Sequence, residues 1–101
     1  MERDPKITAV FCGSDILAAG ALKQCRQMGI DVPCQLSILG FDNLELAEHT
    51  SPELSTLEVP AKDMGRLAAD YILSAPNKRL HTRQTELSIR LIMRGSTGPA
   101  P

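Results

Sequence analysis

Short apolar runs alternate with longer stretches of helical spacing along this 101-residue chain. The first run, Ile7-Thr8-Ala9-Val10-Phe11-Cys12, predicts a strand buried on both faces of a sheet. Gly13-Ser14-Asp15 then turns the chain, and Ser14 or Asp15 there supplies a helix N-cap. From Ile16 to Met28, Ala18, Ala21, Leu22 and Cys25 recur at helical spacing, with Gly29 as the stop. Beyond the loop at Pro33, Leu36-Ser37-Ile38-Leu39-Gly40-Phe41 predicts a second buried strand. Strand, helix and strand in that order make a right-handed parallel βαβ unit. Asp42-Asn43 closes the second strand, and Leu44 to Glu48 predicts one or two helical turns ended near Ser51-Pro52. Leu54 to Val59 predicts a strand crossing to another element. Pro60 edges an amphipathic helix, Ala61 to Ser74, in which Met64, Leu67, Ala68, Tyr71 and Ile72 fall on one face. Pro76-Asn77 breaks that helix. Leu87, Ile89, Leu91 and Met93 then alternate with polar residues as a last strand, before a polar tail from Arg94. The fold class is α/β, roughly βαβ(α)βαβ.

Composition narrows the picture. With only Phe11, Phe41 and Tyr71 as aromatics and no Trp, the core must be built from Leu, Ile, Val, Ala and Met. A chain of this length supports one small domain at most. Eleven Lys and Arg against twelve Asp and Glu give a net charge of −1, without the basic excess of a nucleic-acid-binding domain. The basic stretch from Lys78 to Arg83 reads as a solvated loop, so the chain is not expected to bind DNA by itself. The three cysteines lack CxxC spacing, which argues against a disulfide framework and a zinc site. Cys12 and Cys25 read as small core residues, and Cys34 beside Pro33 as more accessible. No metal or cofactor is expected. Neither a membrane span nor a signal peptide is legible, which makes a cytoplasmic location the expectation.

In an open parallel sheet, ligands bind outside the carboxyl ends of the strands. Two polar clusters fall at such ends: Ser14-Asp15 after the first strand and Asp42-Asn43 after the second. If the strands are neighbours, the clusters face one crevice. A carboxylate there can accept two hydroxyls of a sugar or the N–H groups of a nucleobase. The N-terminus of the helix after Asp15 adds partial positive charge. Structural roles compete with each of these: a helix cap at Ser14 or Asp15, and an Asx turn at Asp42-Asn43. His49 and His81 read as solvated, and Glu58, Asp63, Arg90 and Arg94 as ordinary exposed charges. Enzyme signatures are missing. Ser14 sits in Cys-Gly-Ser-Asp-Ile without the second glycine of a nucleophile elbow, and there is no phosphate-binding loop. The expectation is a binding module, not an enzyme.

Several stretches in order carry a resemblance. They are Ala9-Val10-Phe11-Cys12-Gly13-Ser14-Asp15 with Ala18-Ala19-Gly20-Ala21-Leu22, then Met28-Gly29-Ile30-Asp31-Val32-Pro33 running into Leu36 to Asn43. They continue through Ser51-Pro52-Glu53-Leu54-Ser55-Thr56-Leu57, the helix holding Met64-Gly65, and Arg94-Gly95-Ser96-Thr97. Together they resemble the lactose/galactose-repressor family of bacterial transcription regulators from Ile7 to Thr97, with the purine-repressor branch close around Phe11-Cys12-Gly13 and Gly40-Phe41-Asp42-Asn43.

The resemblance implies a periplasmic-binding-protein-like core of two α/β subdomains with a small-molecule effector, sugar or purine-like, in the cleft between them. Residues 7–56 would belong to the C-terminal subdomain, 57–86 would cross into the N-terminal one, 87–97 would return, and 98–101 would be a tail. The whole chain would be a C-terminal piece of that core, with operator DNA read by a helix-turn-helix domain outside it. The family's effector-contacting acid maps onto Asp42, and a second contact onto Ser14, with Asp15 beside it. Ser14 stands where many members have Asn. Homodimer contacts would fall around Ala19, Lys23, His49, Thr50 and Ser51. The apolar face of the helix after Pro60 would lack its sheet, so the chain is expected to be a fragment or to complete its core by self-association. Alternatives are a solute-binding protein of a transporter and a small flavodoxin-like or hydrolase-like enzyme.

Overall fold

The computed structural model describes Asp4 and residues 6–74 and 84–101. The basic stretch at 78–83, with His81, and the helix breaker at 76–77 lie outside the described residues. The elements run β1 (Ala9–Phe11), α1 (Asp15–Met28), β2 (Ser37–Leu39), a 3-10 helix (Glu45–Glu48), β3 (Thr56–Glu58), α2 (Ala61–Ser74) and β4 (Arg90–Ile92). This is the expected order, with each strand three or four residues shorter than its apolar run.

Local chemistry explains the helix limits. Ser14 is the N-cap of α1, extended at φ −157° and ψ 162°, and its hydroxyl accepts the Leu17 N–H at 3.2 Å. Gly29 closes the helix in the left-handed conformation at φ 72°, and its N–H returns to the Arg26 carbonyl. A side chain at that φ would cost roughly 1–2 kcal/mol, which a glycine avoids.

β1 and β2 pair in parallel, Val10 opposite Ile38, with α1 as the crossover. Leu39 bridges to Ser55 in parallel, so β3 follows beside β2, and β4 closes antiparallel to β3 with Leu57 opposite Leu91. The core sits under α1: Ala18, Leu22 and Cys25 from one helix face pack with Leu36, Ile38, Ala47 and Leu54. Ile38 and Leu54 are fully buried at its centre.

Three expectations about burial need correction. β1 is exposed along its whole length, with Phe11 59% accessible, as an edge strand paired with β2 alone among the described residues. The polar stretch after Arg94 is no free tail: Ser96 is fully buried, its hydroxyl donating to the Ile38 carbonyl and accepting the Ser55 N–H. Arg94 is no ordinary exposed charge either, since only 12% of its side chain is accessible. On α2 the expected uncovered stripe is present. The helix buries no residue, and Met64 and Ile72 stand exposed.

A polar network at the carboxyl ends of the strands

The parallel pairing of β1 and β2 brings their two following turns together. The Asp15 N–H donates to the Phe41 carbonyl at 3.0 Å, so the start of α1 touches the end of the second apolar run. The two polar clusters therefore meet at one end of the sheet, where a parallel sheet leaves room for ligands.

The two acids there have opposite surroundings. Asp15 is fully buried, and both its oxygens are engaged. Oδ1 accepts the Thr56 hydroxyl at 2.6 Å, and Oδ2 accepts the Leu44 N–H at 2.6 Å. One carboxylate thus fastens α1 to β3 and to the loop after Asn43. Gly40 makes this possible: a Cβ there would collide with Asp15 Oδ1 and lie 2.9 Å from Leu54 Cδ2. Asp42 is exposed, with its N–H donating to the Leu57 carbonyl at 2.8 Å. Ser14 is half-buried beside the turn and holds the helix cap.

Asp42 and Asn43 both have positive φ, 106° and 54°, a region that costs a non-glycine residue of order 1 kcal/mol or more. Such a turn persists only when its surroundings over-determine it. Here the Asn43 N–H donates to Thr56 Oγ1 at 3.2 Å, and its Nδ2 donates to Glu58 Oε2 at 2.8 Å. Asn43 Oδ1 accepts Arg94 Nη2 at 2.9 Å, while Arg94 Nη1 donates to the Leu54 carbonyl at 2.8 Å. Glu48 Oε1 stands 3.7 Å from Arg94 Nη2, and Glu58 Oε1 3.7 Å from Arg90 Nη1. Glu58 and Arg94 look like ordinary exposed charges in the sequence, and nothing around Thr56 there gives it a role. Their partners lie between 13 and 51 residues away, a separation that no local pattern encodes.

The other candidate residues fall on a second surface. Ala19 and Lys23 are four apart and share a face of α1. His49 and Ser51 are exposed, and Thr50 donates its hydroxyl to the Pro52 carbonyl at 2.9 Å. Arg26 Nη2 reaches the Ser51 carbonyl at 2.9 Å, which ties that loop to the helix.

A groove of about 510 Å³ runs along α2, lined by Met64, Leu67, Ala68, Tyr71 and Leu87, with Asp70, Ser74 and Thr85 as its polar members. Its walls are the uncovered apolar stripe, the character of a packing surface rather than of a polar ligand site. No group of His, Cys, Asp or Glu among the described residues could hold a metal ion. Among the same residues no helix is long and apolar enough to cross a membrane.

The family model described as periplasmic binding protein-like domain matches residues 1–97. The HTH-type transcriptional repressor CytR of Escherichia coli K12 is 40% identical over 95 residues, covering 93% of this chain and 28% of that protein. A solved LacI-type transcription regulator from Bifidobacterium animalis subsp. lactis superposes with a TM-score of 0.78 at 30% identity, over 91% of this chain and 33% of that one. A complex of the transcriptional regulator CelR with cellobiose superposes at 0.72 and 29% identity, over 91% of this chain and 28% of that one. The chain therefore spans about a quarter to a third of the length of these relatives. The chain belongs to the periplasmic binding protein-like domain family, and the relatives it matches include a transcriptional repressor and a LacI-type transcription regulator.

Proposed function

We propose that this chain forms one wall of the effector-binding cleft of a cytoplasmic transcription regulator, and that Asp42 is its principal effector contact. The observation that carries this reading is the meeting of two turns at the carboxyl ends of adjacent parallel strands, with Asp42 exposed there and Asp15 buried beneath. An exposed carboxylate at such a place accepts paired hydroxyls of a sugar or N–H groups of a nucleobase. Ser14 lies at the same edge and adds a hydroxyl. Asp15 serves the site from below, as support for the turn.

In this reading residues 7–56 form part of one subdomain, 57–86 cross to the other, and 87–97 return. The apolar stripe of α2 then packs on a sheet of the second subdomain. Ala19, Lys23, His49, Thr50 and Ser51 form part of a homodimer interface, supported by the Arg26 bond that holds the 49–51 loop against α1. DNA is contacted through another domain, and the module turns over no substrate.

Calorimetric titration of the regulator containing this chain tests the reading. The panel is D-ribose, D-galactose, cellobiose, hypoxanthine and adenosine. One of these should bind, and Asp42→Ala should weaken it roughly 10- to 150-fold, the value of a charged hydrogen bond of about 1.5–3 kcal/mol. Equal affinity in the two proteins would remove Asp42 from the site.

A further inference from the structure

We propose that Arg94 is a positioning residue of the effector site, which fixes the Asp42 turn by holding Asn43 from the far side of the sheet end. The effector role of Asp42 is the reading given above, and the functional consequence of this inference rests on it; the clamp itself does not.

Three observations converge. The turn needs a clamp, because two successive non-glycine residues hold positive φ. Asn43 is held at every polar group of its side chain, Oδ1 by Arg94 and Nδ2 by Glu58. Arg94 is itself set rigidly. One guanidinium nitrogen is spent on the Leu54 carbonyl, the Arg94 backbone N–H donates to Ser55 Oγ at 2.8 Å, and only 12% of the side chain is accessible. A planar fork with two fixed acceptors orients its partner in a way that a flexible ammonium cannot.

The arrangement also joins distant parts of the chain. Arg94 lies two residues past the end of β4 and Asn43 four past the end of β2, so a shift of the β4 end is transmitted to the backbone that carries Asp42. Glu58, at the end of β3, holds the other side of the same amide. A displacement of either strand relative to β2 therefore alters the turn before it reaches the core.

Amide hydrogen exchange, followed residue by residue on the full chain without ligand, tests this. Arg94→Met keeps the stem and removes both donors. It should speed exchange at the Asp42 and Asn43 amides at least tenfold while leaving the Ile38 amide, bonded to the Ser96 carbonyl in the core, unchanged. Asn43→Gly accepts the positive φ but loses the clamped amide. It should speed exchange at Asp42 by a similar factor, and Arg94→Met should add nothing on that background, as coupled residues require. Unchanged exchange at Asp42 and Asn43 in Arg94→Met would overturn the proposal. So would acceleration shared equally by Ile38, which marks general loosening, or an additive effect of the two substitutions. The readout needs no effector. An Asp42→Ala protein with undiminished effector affinity would therefore sink the effector reading and leave the clamp standing.

Discussion

Asp15 and Asp42 carry the same side chain and do different work, and their neighbours decide which. Asp15 is buried with two donors, Asp42 exposed on a turn of positive φ. The sequence placed both acids at strand ends and left open which was structural. Burial separates them, and the burial of Asp15 depends on Leu54, Thr56 and Gly40, which no local spacing around Asp15 reveals. Gly40→Ala should therefore destabilise the chain by about 1–3 kcal/mol in urea unfolding, as overpacking against a carboxylate and a leucine does. The cysteines separate in the same way. Burial pushes the Cys12 thiol above its ordinary value of 9.0, with Cys25 nearby adding to the effect, whereas Cys34 is exposed. A raised pKa leaves less thiolate at any given pH, so Cys12 is less reactive than an unperturbed thiol and gains reactivity as pH rises. Iodoacetamide at pH 8 should label Cys34 first, by peptide mass spectrometry, with Cys12 labelling rising steeply toward pH 10.

At the level of elements, local chemistry was read most reliably where one residue suffices. Ser14 and Gly29 bound α1 as their types require, and α2 runs from Ala61 to Ser74 as its periodicity predicts. The strands were legible as apolar runs, yet their ladders are shorter, because pairing needs a partner in register and only three residues of each strand find one. Ser14→Ala should cost about 1 kcal/mol of unfolding free energy through the lost bond to Leu17, measured by denaturant melts. The 3-10 helix at 45–48 has no side-chain cap and is held instead by tertiary bonds, such as the Leu54 N–H on the Ala47 carbonyl. Nothing in its own sequence could have distinguished it from one or two ordinary helical turns.

The whole molecule is elongated. Its radius of gyration is 18.1 Å, against about 13 Å for a compact domain of this length, and its extents are 60 × 26 × 23 Å. The core under α1 is small, while α2 and one face of β4 keep their apolar side chains in the open, Leu91 and Met93 among them. The uncovered stripe of α2 was legible from its spacing. The exposure of β1 was not, since an apolar run says what a strand prefers and not what lies against it. The polar network at the carboxyl ends joins four segments of the chain: α1 through Asp15, the turn through Asn43, β3 through Thr56 and the stretch after β4 through Arg94. The central claim is that this end of the sheet, and not the α2 groove, receives the small molecule. Mapping backbone amide shifts of the labelled regulator by NMR, as the five compounds of the panel are titrated in, tests it most directly. The account predicts that one compound moves Ser14, Asp42 and Asn43 most. Shifts centred on Met64, Tyr71 and Leu87, or none with any of the five, would contradict it.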